Sequence, residues 1–344
     1  MNANNELEFT FLKFIIKGLS KSILVLFTML LANSSGAYGE VSAPAIIADV
    51  PPEASETRLP VYRWVSSQAK PNPRAIVLLI HGLTQRAQSL NTFAEQLAAE
   101  QFIIYGIDQR GHGAWHEDDR RGKEGFRCNF KATGDDVDKL VVLLHRDYPD
   151  RPLYLVGESI GSAVALHAAT EPHSHINGVV LCAFGTKMNK IKLSWFLGDM
   201  IHILFHPTQE VLLARYQLAY ACENPQTLKI TMSDPLARKS LGGLEILRAS
   251  RYVAKNSRLA SKLPTQTALL LLKGAEDKIV SEKSAQSFYD RARSANKELA
   301  AVPGNGHMLI GRPDIAPSTV SFIGNWIGKD IATQKEALSS SGSL

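Results

Sequence analysis

What this chain lacks narrows the field before any motif is read. Three cysteines in 344 residues, Cys128, Cys182 and Cys222, are too few for a disulfide framework, and none falls in a C-x-x-C or zinc-ligand spacing. The fold must stand without them. Cys182, inside the apolar run 179–184, reads as a small buried hydrophobe, while a bridge between Cys128 and Cys222 is open only in an oxidising compartment. There is no long basic block: 38 Lys and Arg are scattered among 33 Asp and Glu, for a net charge of +5 and a pI near 9.0. Nucleic acid is therefore not an expected partner, and the small basic excess allows at most a weak attraction to an anionic membrane surface. The zinc-protease pattern H-E-x-x-H is missing too, since Ile203, Leu204 and Phe205 separate His202 from His206. No metal and no other cofactor is expected.

A full membrane span is also lacking. The apolar run from Ile23 to Ala32 is well short of the roughly 20 residues a helix needs to cross a bilayer. Lys13, Lys17 and Lys21 precede it and small residues ending in Gly36, Ala37, Tyr38 and Gly39 follow, which is the layout of a secretory signal peptide cut before Glu40. Residues 1–39 are thus expected to direct export to the periplasm or beyond. An uncleaved anchor is the alternative, because Phe9 to Ile16 lends the long leading segment extra apolar character.

What is present begins after an irregular leader at 40–57 and a presumed edge strand at 59–66. Fully apolar runs at 75–80, 102–107, 153–156, 178–184 and 267–272 read as strands buried on both faces. Between them lie helical patterns such as 133–147, where Val137, Leu140, Val141 and Leu144 share one face behind Asp135 and Asp136. Alternating strands and helices predict an α/β fold, a mostly parallel sheet flanked by helices. Ligands in such sheets bind at the carboxyl ends of the strands.

The motif after the run at 153–156 is Gly157-Glu158-Ser159-Ile160-Gly161, followed by the helix-compatible stretch 163–169. G-x-S-x-G between a strand and a helix is a nucleophile elbow: the tight turn leaves the Ser159 hydroxyl exposed at its tip. His81-Gly82-Leu83 follows the strand at 75–80, so the amides of Leu83 and Ile160 are the expected oxyanion donors. His81, Arg110, His112 and His116 are expected to support loops, because the base of such a site lies late in the chain. Acid and base should follow the serine in that order. The strand at 267–272 leads to Glu276 and Asp277, and a Gly-rich loop leads to His307. Asp277 is the expected acid, with Glu276 its rival, and His307 the expected base.

These pieces resemble the α/β-hydrolase fold, and within it the monoacylglycerol lipase and lysophospholipase group, also filed with the serine aminopeptidases. His81-Gly82, Asp108-x-Arg-Gly-His-Gly113, Gly157-Glu-Ser-Ile-Gly161, Ser233-Asp-Pro-Leu236, Gly274-x-x-Asp277 and Gly306-His307 carry the resemblance over residues 60–328. It implies a catalytic trio of Ser159, Asp277 and His307. Ser162 departs from the pattern, where these lipases usually have a second glycine, and the oxyanion loop lacks a further glycine that many relatives carry. The stretch 187–262 is far longer than a crossover needs and is expected to form a helical lid. Within it the apolar segment 193–205 makes Trp195 and Phe196 the candidates for contact with an acyl chain. The expected activity is hydrolysis of carboxylic esters of single-chain lipids, monoacylglycerol or lysophospholipid, through an acyl-enzyme. An acyltransferase or peptidase on the same scaffold, or a non-catalytic lipid- or partner-binding module, are the alternatives.

Overall fold

The computed structural model describes residues 46–341 apart from 68, 70–71, 116–126, 173, 188–192 and 207–208. The expected leader 1–39 and His116 lie outside the described residues. Residues 44–344 form one compact unit. In chain order the sheet strands are β1 (Ile46–Asp49), β2 (Val61–Ser66), β3 (Ile76–Ile80), β4 (Ile103–Ile107), β5 (Leu153–Glu158) and β6 (Gly178–Cys182). A small pair, β7 (Glu210–Leu212) and β8 (Ser240–Gly242), precedes β9 (Ala268–Gly274) and β10 (Lys297–Val302).

The main sheet has eight strands in the order β1-β2-β4-β3-β5-β6-β9-β10. From β4 to β10 every neighbour is parallel, while β2 runs antiparallel to β4 and β1 antiparallel to β2. The position of β1 corrects two expectations. The leader at 40–57 is not irregular throughout, and the strand at 61–66 is not at the edge, because Ile46 to Asp49 pair along it in register with Ser66 to Arg63. A four-residue strand flanked by prolines has no periodicity of its own to read; pairing with β2 creates it.

Helices cover both faces: α1 (Pro52–Thr57), α2 (Asn91–Ala99), α3 (Phe130–Asp147), α4 (Ile160–Ala169), α5 (Leu193–Phe205), α6 (Pro225–Ser233), α7 (Gly243–Ala254), α8 (Glu282–Arg291) and α9 (Pro317–Ser341). Successive side chains of a strand point to opposite faces, so each apolar strand feeds two cores. Ile76, Leu78 and Ile80 join Leu155, Leu181 and Leu271 under α3 and α4. Val77 and Leu79 join Val156, Val180 and Leu270 under α2 and α9. The Ser-rich end of the chain, which has a low-complexity composition, continues α9 as helix to Ser341.

Between β6 and β9 lies the long inserted segment, with α5, the β7–β8 pair, α6 and α7. Trp195 and Phe196 fall on α5, and their side chains are outside the described residues. The three cysteines are free, Cys128 and Cys182 buried and Cys222 half-buried.

Candidate active site

The chain turns sharply between β5 and α4. Ser159 sits in that turn with φ 56° and ψ −113°, a left-handed backbone that a residue with a Cβ adopts only under constraint. The constraint is visible on both sides. A Cβ on Gly157 would stand 2.4 Å from the Gly161 carbonyl oxygen, and one on Gly161 would stand 2.1 Å from that of Ile80. Only glycine permits the helix to start so close to β5 and β3. The Ser159 amide donates to the Cys182 carbonyl at 2.9 Å, tying the turn to the end of β6. Ser162, where the lipase pattern has glycine, is buried, and its hydroxyl lies 2.7 Å from the carbonyl oxygens of both Gly157 and Cys182. Its extra bulk is accommodated by a shared hydrogen bond that braces the same turn.

Three side chains from three strand ends converge here. His307 Nε2 lies 2.9 Å from Ser159 Oγ, and His307 Nδ1 lies 2.9 Å from Asp277 Oδ2. The other oxygen of Asp277 accepts from the amides of Ile279 at 2.7 Å and Val280 at 3.0 Å. Burial pushes the Asp277 carboxyl up, but the hydrogen bonds and charge from His307, with those two amides, outweigh it and hold the group below the usual carboxylate range. An ionised Asp277 requires a proton on Nδ1, which leaves Nε2 as the acceptor facing the serine. Glu276, the rival acid, is exposed, so the structure brings Asp277 and not Glu276 to the histidine.

Leu83 follows Gly82 at the end of β3, and Ile160 opens α4. Among the described residues no protein group accepts from either amide. The Leu83 carbonyl accepts from His112 Nε2 at 2.6 Å, which fixes the orientation of this loop. His81 is fully buried: Nε2 accepts from the Gln109 amide at 3.0 Å, so the proton resides on Nδ1, 2.8 Å from the Gly82 carbonyl. Burial, with the neighbouring His112, lowers its pKa well below that of a free imidazole, and it remains neutral. Arg110 pairs with Asp136 at 2.6 Å and 2.8 Å. His81, Arg110 and His112 thus act in loop structure. His202 lies on α5 and His206 directly after its end, with ring centroids 5.2 Å apart.

Two residues that sequence reasoning passed over hold the site together. Glu158, directly before the nucleophile, is buried, and its carboxylate accepts from the amides of Leu309 at 2.6 Å, Ile310 at 2.8 Å and Gly311 at 3.2 Å. Gln85 accepts from the Gly82 amide at 2.8 Å and donates to the Gly311 carbonyl at 2.9 Å, joining the Gly82–Leu83 loop to the histidine loop. The available signal was a charged residue at the end of an apolar strand, beside the elbow serine.

A mostly parallel sheet with this elbow after β5, an acid after β9 and a histidine after β10 defines the α/β-hydrolase class. The match of residues 71–314 to the family described as serine aminopeptidase, S33, is more specific, and the chain belongs to that family. It is 26 % identical to the monoglyceride lipase of Homo sapiens over 263 residues, covering 76 % of this chain and 84 % of that protein. Among solved structures, the monoacylglycerol lipase of Paleococcus ferrophilus superposes with a TM-score of 0.62 at 19 % identity, over 79 % of this chain and 99 % of the other. A soluble variant of Saccharomyces cerevisiae monoglyceride lipase, in complex with a substrate analogue, superposes with a TM-score of 0.64 at 17 % identity, over 85 % and 96 %.

Proposed function

We propose that this protein is a serine hydrolase of carboxylic esters of single-chain lipids, with monoacylglycerol or lysophospholipid as the substrate class. The observation that carries the reading is the line from Ser159 through His307 to Asp277, with 2.9 Å at each hydrogen bond. Ser159 Oγ attacks the ester carbonyl while His307 Nε2 takes its proton, and the Leu83 and Ile160 amides receive the oxyanion. Asp277 stabilises the imidazolium and remains ionised. Collapse of the tetrahedral intermediate passes the proton from His307 to the leaving alcohol and leaves an acyl-Ser159. Water, deprotonated by His307, then releases the fatty acid and restores the serine.

The names of the relatives reported above, monoglyceride lipase or monoacylglycerol lipase, support the lipid ester. Leu204 and Phe205 at the end of α5 are 74 % and 71 % exposed, which suits an insertion that meets a lipid surface. The family's description as serine aminopeptidase makes an amide the rival substrate. The deciding experiment treats the purified chain with a fluorophosphonate probe and assays esters of graded acyl length beside aminoacyl anilides. Labelling and ester turnover are expected, and Ser159→Ala should remove both by at least about a thousandfold. Retention of a tenth of the activity in that variant, or anilide turnover above ester turnover, overturns the reading. We further propose that residues 1–39 direct export; an amino terminus starting at Glu40 in a cell fraction outside the cytoplasm is the expected result.

A further inference from the structure

The loop that carries His307 is held from two sides by different parts of the chain. Residues 309–311 are fixed by Glu158 on the sheet. The amides on either side of His307 are held instead by the inserted segment. The Gly306 amide donates to Glu223 Oε2 at 2.8 Å, and the Met308 amide donates to the Ala221 carbonyl at 2.9 Å. Glu223 Oε1 pairs with Arg312, which is itself buried and bound to Asp314 at 2.7 Å and 2.8 Å. Asn224, next along the insertion, donates to Asp314 at 2.7 Å. One carboxylate thus spans the histidine, with Gly306 before it and Arg312 after it.

We propose that Glu223 is a positioning residue for His307, through which the inserted segment sets the alignment of the base on Ser159. The proposal rests on the functional reading above, in which His307 is the base. Rotation of the Gly306–His307 peptide would swing the imidazole away from Ser159 Oγ or Asp277 Oδ2. A pair of 2.9 Å contacts tolerates little such motion, and a displacement of about 1 Å of a reacting group costs on the order of a hundredfold in rate. The carboxyl is also kept ionised: burial alone would push its pKa up, but Arg312 and the amide donors hold it below the usual range. The insertion therefore contributes to the chemistry as well as to any binding of substrate. Any movement of the insertion at residues 221–223 changes the base.

The test uses the full chain carrying Glu223→Ala or the isosteric Glu223→Gln. Turnover of a soluble short-chain ester is measured per site titrated with fluorophosphonate, and the low-field proton resonance of His307 Nδ1–H is followed by NMR. In Glu223→Ala, kcat per titrated site should fall by about tenfold to hundredfold with KM within about twofold, and the low-field resonance should shift or broaden. Glu223→Gln retains an oxygen acceptor for Gly306 and should fall between that variant and the parent. It also serves if the alanine variant fails to fold. A lower Tm with unchanged kcat per site and an unmoved resonance would reduce Glu223 to a structural brace and overturn the proposal. If the parent protein itself does not react with fluorophosphonate, the functional reading falls, and the resonance alone then decides whether Glu223 places His307.

Discussion

The sheet end and the inserted segment solve different problems with different materials. At the sheet end, Ser159 and Asp277 emerge from strands β5 and β9, whose apolar residues are buried on both faces, and each is fixed by backbone groups as well as by His307. The insertion has short strands of three residues, exposed apolar side chains such as Leu204 and Leu212, and attachment through ion pairs. Arg86 to Asp234 at 2.8 Å and Arg312 to Glu223 are examples. Buried strands and backbone hydrogen bonds hold the sheet end. The inserted segment is held by contacts that can be rearranged at lower cost.

The sharpest test of this contrast is Asp277→Asn. On the sheet side a single change of one atom should lower turnover by about a thousandfold to ten-thousandfold, since the histidine loses the partner that sets its tautomer. The same variant carries a pH signature. A carboxyl held below its unfolded value adds stability that is present in full above about pH 4 and is lost as pH falls through the lower folded value. Urea midpoints measured from pH 6 down should therefore show a steeper acid-side fall in the parent than in Asp277→Asn. Equal slopes would mean that Asp277 is not held ionised by its neighbours.

A smaller effect is expected from Glu158→Gln. The amide can still accept from Leu309 and Ile310, but its NH2 group then faces the Gly311 amide, leaving a buried donor unpaired. The expected cost is about 1–3 kcal/mol in denaturant unfolding, with slower turnover as the histidine loop loosens. If stability falls and turnover does not, the loop is held in place by other contacts.

The smallest effect belongs to the insertion. Trp195→Ala should leave the unfolding midpoint nearly unchanged and flatten the dependence of kcat/KM on acyl length. Each methylene buried by the parent is worth up to about 0.8 kcal/mol. A large loss of stability with an unchanged chain-length slope would place Trp195 in packing and make the insertion more like the sheet end than the contrast allows.

The same division governs what could be read in the sequence. Runs such as 75–80 and 267–272 are legible because a strand buried on both faces admits almost no polar residue, and G-x-S-x-G is legible because the turn demands glycine at Gly157 and Gly161. Asp277 and His307 followed from their order after the serine. Glu158 could not be assigned, because its three partners lie 151 to 153 residues away and leave no local pattern. The clamp from Glu223 was hidden for the same reason. The strand β1 was missed because four residues between prolines acquire their conformation only by pairing with β2. Ser162 read as a defect in the pattern, whereas two carbonyls stood ready to accept its hydroxyl.

The bond from the Ser159 amide to the Cys182 carbonyl has a consequence for the order in which the protein is made. The left-handed turn is unfavourable on its own, and the group that captures its amide lies at the end of the next strand to be synthesised. A growing chain that has just produced its serine cannot hold it in the reactive conformation; β6 must first be added beside β5. The histidine then arrives more than a hundred residues later, and closing so long a loop is slow. During synthesis Ser159 is therefore present, and its turn closed by β6, well before His307 has been made.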